Sequence, residues 1–252
     1  MPANKVIIHP DGKTIITFNE EEHSYVDNYG KKYRSVTSII DESFPKFDTE
    51  TIAQRCADKQ GISKEELVAQ WNEKGRQARY YGTRLHENCE HQILDQEDKL
   101  HIPSNMDEAI RFNAAYEKVS KLKSLFLKEN LYPEYLIFSP TFGIAGTVDL
   151  LAIKNEDEAY IFDWKVLSKN LQKENFSGEC GSILPTLNIQ NTNYWHYAIQ
   201  LQLYEYLLKI EGYLKQTCKV TKILMVWNGT EFKKEILPNI PEGWGILAYF
   251  KQ

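Results

Sequence analysis

Asp163 and Lys165 stand two residues apart in Ile161-Phe162-Asp163-Trp164-Lys165-Val166, a run that otherwise reads as the end of a buried β-strand. Side chains alternate along a strand, so both charges point to the same face. An ionised group taken out of water costs several kcal/mol unless it is paired, metal-bound or neutralised. A second acid, Asp149 in Gly146-Thr147-Val148-Asp149, falls on the strand before. Consecutive antiparallel strands can set the two carboxylates side by side, where both cannot stay ionised without a cation between them. Mg2+ or Mn2+, hard cations that take oxygen ligands, resolve that conflict. An ammonium beside them can hold an attacking water or neutralise charge building on a phosphate. Together the three charges suit metal-assisted hydrolysis of a phosphodiester. A lone D-x-K is more often an Asp–Lys pair on the solvent face of an edge strand, so the reading depends on what accompanies it.

The elements that must position these residues follow from pattern. Residues 5–40 read as short strands broken by turns at Pro10-Asp11-Gly12 and Asn28-Tyr29-Gly30. A short helix can start with Ser35 or Thr37 as its cap. Helices are expected over 48–57 and 63–94; in the second, Ser63 and Glu66 form an S-x-x-E capping box, and Gly75 and Gly82 are candidate breaks. A third is expected over 105–129, with Ile110, Ala114, Val119, Leu122 and Leu125 as its apolar stripe. Beyond Pro133, three β-rich runs at 135–140, 142–154 and 158–166 read as consecutive strands, partly antiparallel. Residues 167–193 have no period and read as a functional loop. A helix over 194–211 and strands at 220–227 and 231–237 complete the chain. The expectation is one α/β domain over 1–252, with a β-rich subregion over 1–47 and a core over 48–252. In that core a central mixed sheet is flanked by helices.

Composition narrows the classes. Hydrophobic residues make up 42% and charged residues 26%, as in an ordinary soluble globular chain. No run approaches the ~20 apolar residues of a membrane span, and the first residues lack the apolar stretch of a secretion signal. Cys56, Cys89, Cys180 and Cys218 are scattered without metal spacing, as for reduced thiols in a cytoplasmic protein. A net charge of −5 argues against a broad coat of phosphate contacts. One local basic run exists: Arg111, Lys118, Lys121, Lys123 and Lys128, interrupted by Glu117 and Glu129. It reads first as a solvated helix face and second as a phosphate track. His86-Glu87-Asn88-Cys89-Glu90-His91 is not the zinc-protease H-E-x-x-H, because position 90 is Glu90 and His91 falls ~100° away around the helix. Tyr194, Trp195 and Tyr197 read as core packing before base stacking, and Trp71 and Trp164 likewise as packing residues.

Four short motifs occur in a fixed order: Gly82-Thr83-Arg84-Leu85-His86, Gly146-Thr147-Val148-Asp149, Asp163-Trp164-Lys165, and Gln200-Leu201-Gln202-Leu203-Tyr204. In this order, on helix, strand, strand and helix, the chain resembles the PD-(D/E)xK nuclease superfamily and in particular its RecB-like exonuclease branch. The motifs span 82–204, about half the chain. The stretch from Glu21 to Thr37 is also similar to the front of phage-type members and of the mitochondrial genome-maintenance exonuclease.

The resemblance implies a restriction-endonuclease-like core and a Mg2+- or Mn2+-dependent nuclease that hydrolyses DNA, most simply an exonuclease on single-stranded or end-containing DNA. It implies His86, Asp149, Asp163 and the backbone carbonyl of Val166 as metal ligands. Lys165 would orient or activate the attacking water, and Gln200 and Tyr204 would position the DNA backbone. Glu90, one turn after His86, is read as a second metal group or as a solvated glutamate. Val166 stands where the branch often has Thr. Cluster-bearing members carry a tight C-terminal cysteine group, whereas here only Cys218 is present, so no iron–sulfur cluster is expected. The implied setting is a bacterial or phage-infected cell, in DNA recombination or repair, with a recombination or replication protein as a further partner. Two alternatives stay open: a non-catalytic DNA-binding or partner-docking module on the same fold, and a structure- or site-specific endonuclease.

Overall fold

A computed structural model describes residues 5–19, 22, 24–167 and 171–251. Glu21 and His23 of the N-terminal resemblance, and 168–170 of the expected loop, lie outside them.

Four short strands open the chain: β1 (Lys5–Ile8), β2 (Ile15–Asn19), β3 (Ser24–Asp27) and β4 (Lys32–Ser35), each antiparallel to the next. This is the expected β-rich start, with Gly12 and Gly30 at positive φ in its turns. Helices α1 (Val36–Ser43), α2 (Thr49–Gln60), α3 (Lys64–Ile93) and α4 (Met106–Leu125) follow. Strands β5 (Leu131–Ser139), β6 (Ile144–Asn155) and β7 (Glu158–Val166) then form an antiparallel set. After α5 (Asn193–Ile210), β8 (Lys219–Trp227) pairs parallel with β7 and β9 (Phe232–Ile236) closes the edge. The nine strands make one mixed sheet, with β4 joined in parallel to β6.

Each face of that sheet is covered by helices, as expected. On one face α5 and α1 pack over Val148, Leu151, Ile161 and Leu224. On the other, Leu85 and Cys89 of α3 and Phe112 and Val119 of α4 pack over Leu150, Phe162 and Trp164. Ser35 caps α1 by accepting from the Ser38 amide, and Ser63 caps α3 by accepting from Glu66. Arg84 of α3 donates to Glu108 of α4 at 2.7 Å, and Ser104 donates to the same carboxylate, locking the two helices at the level of His86.

Three expectations are corrected. Helix α3 runs unbroken through Gly75 and Gly82, since two glycines cost only ~1 kcal/mol each in a helix. Helix α4 ends at Leu125, and Ile110 and Leu125 are exposed; Phe112 and Ala115 take the core positions instead. A last helix, α6 (Gly243–Phe250), was not anticipated. Among the described residues no helix is long and apolar enough to cross a membrane.

Candidate active site

Strand β6 carries the clue to where chemistry can sit. Along one edge it pairs with β5 from Ile144 to Ala152. Along the other it meets β4 at Ile144 and Ala145, and β7 only from Leu150 onward. Gly146, Thr147, Val148 and Asp149 are therefore left without a strand partner on that edge. Beyond Phe162, β7 leaves β6 but stays paired to β8 as far as Val166. Asp149 and Asp163 are the first residues past the point where the two strands part. The Asp149 carboxylate takes over the missing ladder by accepting from the Trp164 amide at 2.8 Å.

His86 of α3 enters this fork from one side. Its Nε2 lies 3.0 Å from the Trp164 carbonyl. A carbonyl can only accept, so Nε2 carries the proton, and a neutral ring presents its Nδ1 lone pair to the acids. Nδ1 is 3.4 Å from Asp149 Oδ2 and 3.6 Å from Glu134 Oε1. A backbone acceptor that fixes the tautomer from behind is the usual support of a metal-binding histidine. His86, Glu134 and Asp149 each offer one ligand atom, and all three atoms lie within 4.8 Å of one another. Glu134 was not picked out from the sequence. It sits in β5 with φ of 44°, a left-handed conformation that costs energy in a non-glycine residue, at a position where the β5–β6 ladder skips a pair. The available signal was an acid between Pro133 and the apolar run Tyr135-Leu136-Ile137-Phe138, the same anomaly that marked Asp163.

Asp163 is 2% exposed and lies 2.8 Å from the Lys165 ammonium through Oδ2. Its Oδ2 has that ammonium as a partner, whereas its buried Oδ1 has none among the described residues. Burial raises its pKa, the Lys165 charge opposes the rise, and the Asp149 charge adds to it. Lys165 lies over the Tyr197 ring at 5.3 Å; burial works against its charge, but Asp163 and then Asp149 outweigh it and hold the ammonium above its ordinary range. Burial also works against the His86 imidazolium, yet the charge of Asp149 and the bond to Glu134 lift its pKa to about 9. Without a cation, the cluster thus retains protons to offset its own negative charge.

Gln200 donates to the Tyr204 hydroxyl at 3.1 Å, both on α5. Tyr204 is buried and packs against Gly146, where an added Cβ would come 2.6 Å from the ring. Burial drives the Tyr204 pKa far up, so its hydroxyl keeps its proton. The structure thus brings His86, Asp149, Asp163, Lys165, Gln200 and Tyr204 to one end of the sheet. Glu90 lies 3.5 Å from the Lys5 ammonium and is not one of the three residues whose ligand atoms converge. Val166, expected to lend its carbonyl, closes the β7–β8 ladder against Trp227 and lines a neighbouring cavity. The carbonyl that meets His86 is that of Trp164. The His86 nitrogen and the facing carboxylates of Glu134 and Asp149 form a donor set that fits a hard divalent cation. Asp163, expected as a ligand, is not one of these three converging residues but is paired with Lys165 beside them.

No protein-family model matches the chain, and no curated protein matches it. Among solved structures, a "Putative exonuclease" from Eubacterium rectale is similar at 15% identity, covering 88% of this chain and 78% of its own, with a TM-score of 0.46. The protein designated SSO0001 is similar at 14% identity over 66% of this chain and 70% of its own, with a TM-score of 0.29. Superpositions this loose do not bear on activity.

Proposed function

We propose that the chain is a divalent-metal-dependent nuclease that hydrolyses phosphodiester bonds in DNA, acting as an exonuclease on single-stranded or end-containing molecules. One observation carries the reading: a buried Asp163 carboxylate whose Oδ2 meets the Lys165 ammonium and whose Oδ1 has no partner among the described residues, beside the His86, Glu134 and Asp149 group. Buried polar groups in folded proteins are mostly satisfied, and an unpartnered carboxylate oxygen beside further acids and a lysine is a candidate metal or catalytic position. The four ordered motifs and the mixed sheet agree with the restriction-endonuclease-like core that the resemblance implies.

His86, Glu134, Asp149 and Asp163 would hold Mg2+ or Mn2+. When bound, the cation supplies charge to the phosphoryl oxygens and lowers the pKa of a coordinated water. Lys165, fixed by Asp163 and by the face of Tyr197, holds its ammonium where charge develops on the phosphate. Tyr204 keeps the unpaired stretch of β6 in place by packing on Gly146, and Gln200 holds the Tyr204 hydroxyl, which together fix Asp149 at the fork.

The test is cleavage of end-labelled linear and of circular DNA, single- and double-stranded, with Mg2+, Mn2+ or EDTA. Metal-dependent loss of linear DNA alone is expected. Cleavage of circles would replace the exonuclease by an endonuclease. Binding without cleavage of any substrate would leave a non-catalytic module.

A further inference from the structure

A cavity of about 490 Å3 opens beyond the C-terminal ends of the parallel strands β7 and β8, the edge of an α/β sheet where ligands commonly bind. Val166 and Trp227 floor it, Lys74 and Tyr81 line it from one face of α3, and Arg111 reaches it from α4. Val166 of its floor directly follows Lys165, so the cavity begins one residue along β7 from the acid cluster. The Arg111 guanidinium lies 5.7 Å from the Tyr81 ring and 5.9 Å from the Trp227 ring. Its Nε is buried without a hydrogen-bond partner, and among the described residues the side chain has no ion pair.

The neighbouring charges behave differently. Of the basic run that reads first as a solvated helix face, Lys118 pairs with Glu231, while Lys123 and Lys128 both pair with Asp95. Arg84, one turn after Tyr81, is saturated by Glu108. Arg111 alone combines partial burial with aromatic walls and no acceptor. Burial pulls its pKa down, and Glu108 and Asp107 only partly offset the pull. A guanidinium kept partly dry without a carboxylate favours an anion that its planar fork can grip.

We propose that this cavity is a phosphate subsite for the nucleic-acid strand, where Arg111, held between Tyr81 and Trp227, grips a backbone phosphate next to the cleaved bond. Lys74 adds charge at its mouth. The strand's identity rests on the nuclease reading, while the anion site rests on Arg111 itself. Arg111 is a positioning residue here.

The experiment measures oligonucleotide binding in Ca2+ and cleavage in Mg2+ for the intact chain and for Arg111→Met, which keeps an apolar stem between the rings. The slope of log affinity against log salt should fall by about 0.7, one phosphate contact on a single strand. KM should rise about tenfold with kcat at saturation kept, and Arg111→Lys should restore the slope. A second arm needs no folded variant: neutral methylphosphonates replace single phosphates of the oligonucleotide one at a time. The unaltered chain should lose affinity sharply at one linkage beside the cleaved bond; where Arg111→Met folds, the same replacement should cost it no further affinity. An unchanged slope and KM in Arg111→Met, or a flat methylphosphonate scan, would reduce Arg111 to packing and overturn the subsite. Arg111-dependent binding without any cleavage would sink the nuclease reading and keep the subsite. Cleavage with Arg111-independent binding would do the reverse.

Discussion

Two lysine–carboxylate centres sit on neighbouring parallel strands beneath α5, and they are built differently. Lys222 of β8, 2% exposed, donates to Gln202 at 2.9 Å, to Glu205 at 2.7 Å and to Asn239 at 2.7 Å. Its three protons meet three acceptors, and Glu205 also receives Lys209 at 2.7 Å. Lys165 of β7 meets one carboxylate, Asp163, whose Oδ2 lies 2.8 Å from the ammonium and whose Oδ1 has no partner among the described residues. Burial pushes both acids up, but only in the complete centre do the lysines win: Glu205 ends below its ordinary range and Asp163 above it. Residue types are shared; satisfaction is not. A complete buried network holds a fold together, whereas an incomplete one leaves an acceptor open to a ligand.

The largest expected effect separates the two centres by activity. Lys165→Ala or Asp163→Ala should lower DNA cleavage by at least ~10^3-fold with circular dichroism unchanged, whereas Glu205→Ala should cleave normally per folded molecule. Full activity in either of the first two would remove the assignment of the site. Stability should sort them the other way. Glu205→Ala leaves Lys222 buried without its carboxylate and should cost about 3–5 kcal/mol in urea unfolding. Asp163→Asn in EDTA should cost less, because Lys165 is partly exposed and the repulsion from Asp149 is relieved. Equal losses would erase the distinction.

Acidity gives a third handle. With its pKa near 9 against 6.5 in the unfolded chain, His86 contributes stability that is full below 6.5 and is lost as pH rises through 9. In EDTA the melting temperature should therefore fall across that interval, and His86→Gln should flatten the fall. Mg2+ needs the unprotonated ring, so its stabilising effect should grow over the same interval. A metal effect that shrinks with rising pH would contradict the ligand role. The smallest effect concerns Gly146→Ala, which forces Tyr204 aside and should cost about 1–3 kcal/mol while weakening metal binding. No change in either would mean that Tyr204 does not support the fork.

Asp149, Asp163 and Lys165 were legible because charges inside apolar strands are anomalies at the level of composition. His86, Gln200 and Tyr204 were legible only by resemblance. Glu134 escaped because its place depends on a break in strand pairing, for which an acid beside an apolar run is only a faint signal. Glu90, one turn after His86, could not be separated from a solvated glutamate because the Lys5 ammonium it meets comes from a distant strand. The fork itself is tertiary: β6 has one continuous neighbour and two partial ones, and the gap between the partial ones is where the acids gather. Helix α3 kept its length through two glycines because its C-terminal half is fixed by Leu85, Cys89 and Ile93 in the core. Helix α6 was hidden by the glycines of Gly243-Trp244-Gly245, although Ile246, Leu247 and Phe250 form its buried side.

The central claim is that the unsatisfied Asp163 is a ligand-in-waiting and the satisfied Glu205 is not. Mn2+ binding, followed by electron paramagnetic resonance at fixed pH, tests it most directly. The account predicts saturable binding that weakens at least ~10-fold in Asp163→Asn and stays unchanged in Glu205→Gln. Unaltered Mn2+ affinity in Asp163→Asn would contradict it.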